Sequence, residues 1–83
     1  MSKKSYKKRG NYIVIVLNDD VNTFHHVCKS LQEICGHNYL QAVQCTNIIH
    51  HSGKCDVYTD RHDRCIEVFN ELAEKGIRTS IVK

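Results

Sequence analysis

The hydrophobic pattern switches repeatedly between runs that suit a strand and stripes that suit a helix. Tyr12 to Leu17 is an unbroken apolar, largely β-branched run, which predicts a strand, central or well covered in its sheet. Phe24, Val27, Cys28, Leu31, Ile34 and Cys35 then fall at i, i+3, i+4, i+7, i+10 and i+11. That spacing is one stripe of a helix, and Gly36 supplies its stop. Asn38 can cap a second helix whose apolar side is Ala42, Val43, Cys45, Ile48 and Ile49, ending at Gly53. From Lys54 to Thr59 the pattern alternates, Cys55 and Val57 inward against Asp56 and Tyr58, which predicts a second strand. Thr59 or Asp60 is placed to cap a third helix carrying Cys65, Val68, Phe69, Leu72 and Ala73, with Gly76 as its stop. Ile77, Thr79 and Ile81 predict a last strand.

The order is therefore β-α-α-β-α-β. Three strands need an apolar face covered, and three amphipathic helices with no second sheet can cover it. The expected fold is an α/β sandwich: a small three-stranded, mostly antiparallel sheet covered by three helices. Length agrees. A chain of 83 residues and 9.6 kDa supports one core and leaves no room for a deep, multi-part active site. The longest apolar run is strand-sized, far below the roughly 18–20 residues of a membrane span, so no membrane partner is expected. The run is also too short for the core of a signal peptide, and the expected location is cytoplasmic.

Charge divides the chain in two. The formal net charge is +3, yet residues 1–10, "MSKKSYKKRG", hold five basic side chains and no acid. Residues 11–83 carry seven basic and nine acidic side chains, a net of −2. The first ten residues are expected to be a basic flexible arm and residues 11–83 the folded body. A reader of duplex nucleic acid carries its positive charge on the folded face, and this body does not. The five cysteines, at 28, 35, 45, 55 and 65, include no Cys-x-x-Cys. Four lie on apolar faces, and their spacings to the six histidines match no familiar zinc ligand pair, so structural thiols and no metal are expected.

Two polar clusters interrupt this pattern. Asn18, Asp19 and Asp20 follow the first strand directly, and Asn22 and Thr23 precede the first helix. One helix cap, worth about 1 kcal/mol, needs one such residue, and Asp20, Asn22 or Thr23 could each serve. The excess points to a second task. A calcium loop alternates its ligands and keeps a glycine, which this loop does not. Acid–base chemistry would need an activated nucleophile and a closed cleft, and neither is evident. Carboxylate and amide oxygens beside an apolar patch suit an ammonium attached to something hydrophobic. The second cluster is His50 and His51 at the end of the second helix, beside Ile48 and Ile49. A helix terminus favours an imidazolium there, but packing of the first two helices together would also bring His50 towards the Asn18–Asp20 loop.

These stretches carry a resemblance. "VLNDDVNTFHHV" after the first strand, "CGHNYLQA" between helices, "IIHHSGKCDVYT" entering the second strand and "LAEKGIRTSIV" at the end resemble the ClpS adaptor family over residues 11–83. The resemblance implies a fold like the C-terminal domain of the ribosomal stalk protein, and a non-enzymatic role without cofactors. Such adaptors bind substrates through a large hydrophobic N-terminal residue (an N-degron: Leu, Phe, Tyr or Trp). They deliver them to a Clp-type AAA+ unfoldase, ClpA- or ClpC-like, and its peptidase, and the N-terminal arm takes part. On this chain it implies that Asn18, Asp19 and His50 hold the α-amino group, with Asp20 supporting the loop. Asn22, Phe24, Val27, Thr46, Ile49 and Thr79 would form the hydrophobic pocket. A monomer is expected. Two departures bear on the pocket: the family often has Thr-Pro-Met where this chain has Asn22-Thr23-Phe24, and a methionine is common where Thr46 stands. Two other readings stay open, a small RNA-binding α/β module using the basic arm, and a metal-dependent site at Asp19 and Asp20.

Overall fold

The computed structural model describes residues 11–83, and the expected basic arm at 1–10 lies outside them. The elements run β1 (Tyr12–Leu17), α1 (Phe24–Cys35), α2 (Tyr39–Ser52), β2 (Lys54–Asp60), α3 (His62–Glu74) and β3 (Thr79–Val82). The sheet order is β2-β1-β3, and both pairings are antiparallel. The β-branched first run is thus the central strand, as its composition suggests. Val14 and Val16 alternate onto the helix side and are fully buried, while Ile13, Ile15 and Leu17 on the other pleat are half-buried.

The core joins Val14, Val16 and Val57 of the sheet to Val27, Leu31, Ala42, Ile49, Cys65, Val68 and Leu72 of the helices. Each fully buried aliphatic side chain of this kind contributes about 1.5–3 kcal/mol. Local signals hold at the helix ends. Asn38 and Gln41 form a reciprocal capping box, Gln41 N–H donating to Asn38 Oδ1 at 2.8 Å and Asn38 N–H to Gln41 Oε1 at 3.0 Å. Thr23 is the cap of α1, its hydroxyl accepting from His26 N–H at 3.1 Å.

Three local expectations are corrected. The cap position of α3 is Arg61, which makes no side-chain capping bond. Thr59 instead donates its hydroxyl to the Tyr12 carbonyl, and Asp60 accepts from Arg61 N–H and the Tyr58 hydroxyl. On α2 the buried stripe is Ala42, Thr46 and Ile49, and Ile48 is 45% exposed. Burial of Thr46 is possible because its hydroxyl donates to the Ala42 carbonyl one turn back, at 2.6 Å. Ile77 belongs to the turn rather than to β3, buried there with its N–H donating to the Leu72 carbonyl. The ladder between β1 and β2 also skips Val57, a bulge that sequence periodicity gave no sign of.

Candidate functional site

The β1 exit is held from two directions. At the end of α2, Gly53 adopts φ +96°, a left-handed conformation that glycine enters without the steric penalty of a side chain. Its N–H caps the helix on the Ile49 carbonyl at 2.9 Å, and its carbonyl accepts from Asn18 N–H at 2.9 Å. This bond brings the His50 end of α2 to the Asn18 loop. From the other side, Asn22 donates its amide to the Gly76 carbonyl at 2.9 Å, and His26 Nε2 donates to the Lys75 carbonyl at 2.8 Å. The turn before β3 therefore forms the third wall.

Within the loop, Asp19 is the organising group. Its Oδ1 accepts from Val21 N–H and Asn22 N–H, each at 2.9 Å, and from the Asn22 amide at 3.2 Å. Its Oδ2 accepts from the same amide at 2.9 Å. The backbone bonds from Asn22 and Val21 hold the carboxyl below the usual carboxylate range, with smaller help from the Asn22 side chain and the Arg78 charge. Asp19 is thus an anion at neutral pH, and Oδ2 accepts a single hydrogen bond. Asp20 is exposed and makes no hydrogen bond or ion pair among the described residues. The capping task stays with Thr23.

Asn18, Asp19, Asn22, Val27, Ile49 and His50 line one small hollow together with Leu17 and Ile77. Its volume is about 10 Å³, the threshold for a single water. The Phe24 ring stacks on His50, centroids 5.6 Å apart and planes 12° from parallel, and is 38% exposed. Six of the ten residues singled out in the sequence therefore meet, and Phe24 touches the rim. Asp20 stays outside. Thr46 is fully buried, its hydroxyl on Ala42, and Thr79 donates its hydroxyl to the Ile77 carbonyl at 2.8 Å, so neither lines the hollow. Leu17 and Ile77 were missed. Leu17 was readable as the residue where the apolar run meets the acidic loop, whereas Ile77 depends on the long-range bonds from Asn22 and His26.

The larger concavity is elsewhere. A groove of about 570 Å³ runs between α2 and β2, lined by residues including Ile13, His37, Gln44, Cys45, Ile48 and Tyr58, and it shares no residue with the hollow. It contains no anion held in place as Asp19 is, so size alone does not decide between them. Among the described residues no group of three or more His, Cys, Asp or Glu side chains is arranged to hold a metal ion, and no helix is long and apolar enough to cross a membrane.

Comparison with known proteins places the fold and the family. Residues 7–79 match the family model described as ATP-dependent Clp protease adaptor protein ClpS. The chain is 35% identical to the ATP-dependent Clp protease adapter protein ClpS of Thermosynechococcus vestitus over 68 residues, 81% of this chain and 72% of that protein. It is 37% identical to the protein of the same name from Nostoc sp., again over 68 residues, 81% of this chain and 70% of that one. Among solved structures, that of Agrobacterium tumefaciens ClpS2 bound to L-phenylalaninamide superposes with a TM-score of 0.75. It covers 89% of this chain and 96% of the other at 19% identity, which establishes a common fold. The chain belongs to the ClpS family, the adaptors of the ATP-dependent Clp protease, which are not enzymes.

Proposed function

We propose that this adaptor binds substrate polypeptides by a large hydrophobic N-terminal residue and delivers them to a ClpA- or ClpC-like unfoldase. The observation that carries the reading is the convergence of Asp19, Asn18 and His50 on one hollow floored by Leu17, Val27, Ile49 and Ile77. A free α-ammonium would take the open side of Asp19 Oδ2, the Asn18 side-chain oxygen and a His50 ring nitrogen. Charge-assisted bonds of this kind contribute about 1.5–3 kcal/mol each. The side chain of the bound residue would then rest on the apolar floor.

A hollow that barely holds one water does not admit a leucine or phenylalanine side chain as it stands. Phe24 is the neighbour that would move, since its ring is partly exposed and stacks on His50, which lines the hollow. Swinging it away would uncover the face of the His50 ring and widen the way to the apolar floor. The ClpS2 structure supports the reading, because L-phenylalaninamide presents a free α-amine and an aromatic side chain. Asp20, Thr46 and Thr79 act in this account at a distance, through the loop, the core and the turn. The same reading has the adaptor working as a monomer in the cytoplasm, with the basic arm at 1–10 joining in delivery.

Titration with short peptides that differ only in their first residue tests the proposal. Peptides starting with Leu or Phe should bind, and those starting with Ser or Glu should not. Equal binding of all four would refute it.

A further inference from the structure

The groove between α2 and β2 holds a feature that the adaptor role leaves unused. We propose that Cys45 and Cys55 are a disulfide-forming pair, a site of reversible oxidation that staples α2 to β2. Their sulfurs lie 3.1 Å apart, the Cys55 S–H donating to Cys45 Sγ, and both thiols also reach the Asp56 carbonyl, at 3.4 and 3.8 Å. A disulfide requires about 2.05 Å, so closure needs a movement of roughly 1 Å.

The approach is built by the backbone. Cys55 is paired opposite Val16, whose side chain is buried on the helix side, so Cys55 points towards the helices. Cys45 stands on the flank of α2 that faces β2, and the chain between them turns at Gly53, the cap that also holds Asn18. Access is uneven in a useful way. Cys45 lines the open groove, within reach of a small disulfide, while burial and the bond to Cys45 push the Cys55 thiol up to about 12 and keep it protonated. The remaining thiols are placed differently. Cys28 and Cys65 are buried, and Cys65 contacts the Tyr12 and Asp60 carbonyls at 3.5 Å. Cys35 lines the same groove near Cys45, but its thiol makes no hydrogen bond among the described residues, whereas the Cys55 thiol donates to Cys45 directly.

The oxidant is a low-molecular-weight disulfide such as oxidised glutathione. The Cys45 sulfur attacks one sulfur of that disulfide, whose S–S bond breaks, and the first small thiol leaves with the Cys45 proton. Cys55 then attacks the Cys45 sulfur of the mixed disulfide, and the second small thiol leaves with the Cys55 proton. Two protein thiols are oxidised and one small disulfide becomes two thiols. The ring so closed contains Thr46, Ile49, His50 and Gly53, so oxidation restrains the α2 wall of the hollow. The inference stands on the thiol geometry and is independent of whether peptides bind.

The full chain, equilibrated with oxidised glutathione at neutral pH, should lose two hydrogens. Non-reducing digestion should join the peptide carrying Cys45 to the one carrying Cys55. Cys35 and Cys45 share a tryptic peptide, so the Cys35→Ser variant fixes the assignment and should still cross-link. The oxidised protein should melt higher than the reduced one, a rise absent from Cys45→Ala and Cys55→Ala. A stable glutathione adduct at Cys45 without a cross-link would overturn the proposal. So would a link that persists in Cys45→Ala.

Discussion

Helix α2 separates two concave regions that differ in size, chemistry and construction. On one side Ile49 and His50 face the small hollow, and on the other Gln44, Cys45 and Ile48 face the groove. The hollow is set by hydrogen bonds between residues far apart in sequence: Asn18 to Gly53, Asn22 to Gly76 and His26 to Lys75. Its carboxylate, Asp19, is itself held by the loop that it organises. The groove is some fifty-fold larger, about 570 Å³ against 10 Å³, but its polar contacts fasten the scaffold. His37 Nε2, for example, donates to the carbonyl of Val57, the residue skipped by the ladder, at 2.8 Å, leaving Nδ1 buried without a partner among the described residues. Specific recognition of a cation needs a preorganised anion more than it needs volume. On the proposed function, the smaller region is therefore the receptor.

The largest expected effect tests whether the two sides of α2 are as unequal as this. Ile49 is 2% exposed and belongs to both the core and the hollow. Ile49→Ala should destabilise the fold by about 2–5 kcal/mol in denaturant unfolding and weaken peptide binding as well. Ile48→Ser, one residue away on the groove side, should change stability by no more than about 0.5 kcal/mol and leave binding unchanged. Similar losses from both would abolish the distinction.

A second substitution separates the two tasks of Asp19. Asp19→Asn keeps an oxygen for the Val21 and Asn22 amides but removes the charge, so the loop should persist while affinity for a free-amine peptide falls by about 1.5–3 kcal/mol. Calorimetric titration measures the fall, and a far-UV and thermal comparison checks the fold. Loss of the fold in this variant would show that the carboxylate is structural alone.

The pH dependence follows from the same group. The folded-state carboxyl of Asp19 titrates below its unfolded value, so what it contributes to stability is complete above that value, about 3.9, and is lost as pH falls through the folded one. Peptide affinity should accordingly survive acidification, as far as Asp19 governs it, down to about pH 4. On the alkaline side it should fall as the free ligand's α-amine, near ~7.7–8.0, loses its proton, the bound ammonium being the favoured form. Titrations at several pH values measure both limbs, and an alkaline limb that is absent would mean the ammonium is not recognised.

The smallest effect concerns the hinge between the regions. Gly53 holds φ +96°, and a methyl group placed on its Cα would meet nothing within 4 Å, so Gly53→Ala should suffer backbone strain rather than a clash. A cost of about 1 kcal/mol is expected in unfolding experiments, with a modest loss of peptide affinity through the Asn18 bond.

What the sequence disclosed, and what it hid, divides along the same line. Element order, the central position of Tyr12–Leu17, the Asn38 cap and the stops at Gly36 and Gly53 depend on neighbours a few residues away, and periodicity carries that information. Thr46 and Ile48 exchanged places because an apolar count along α2 does not reveal that a threonine can satisfy its hydroxyl on its own helix. The Val57 bulge and the Ile77 wall depend on contacts between distant parts of the chain. In the candidate site, residue types pointed to the Asn18–Asp20 loop and to His50, Asp20 among them although it stays outside the hollow, whereas the Phe24–His50 stack beside it belongs to tertiary packing.

The most direct test of the central claim is a paired titration of the protein with a Phe-initiated peptide and with the same peptide acetylated at its amino group. A cation receptor predicts binding of the free peptide and loss of measurable binding on acetylation. Equal affinity for the two would contradict it, and would leave Asp19 as the organiser of a loop with no ammonium to hold.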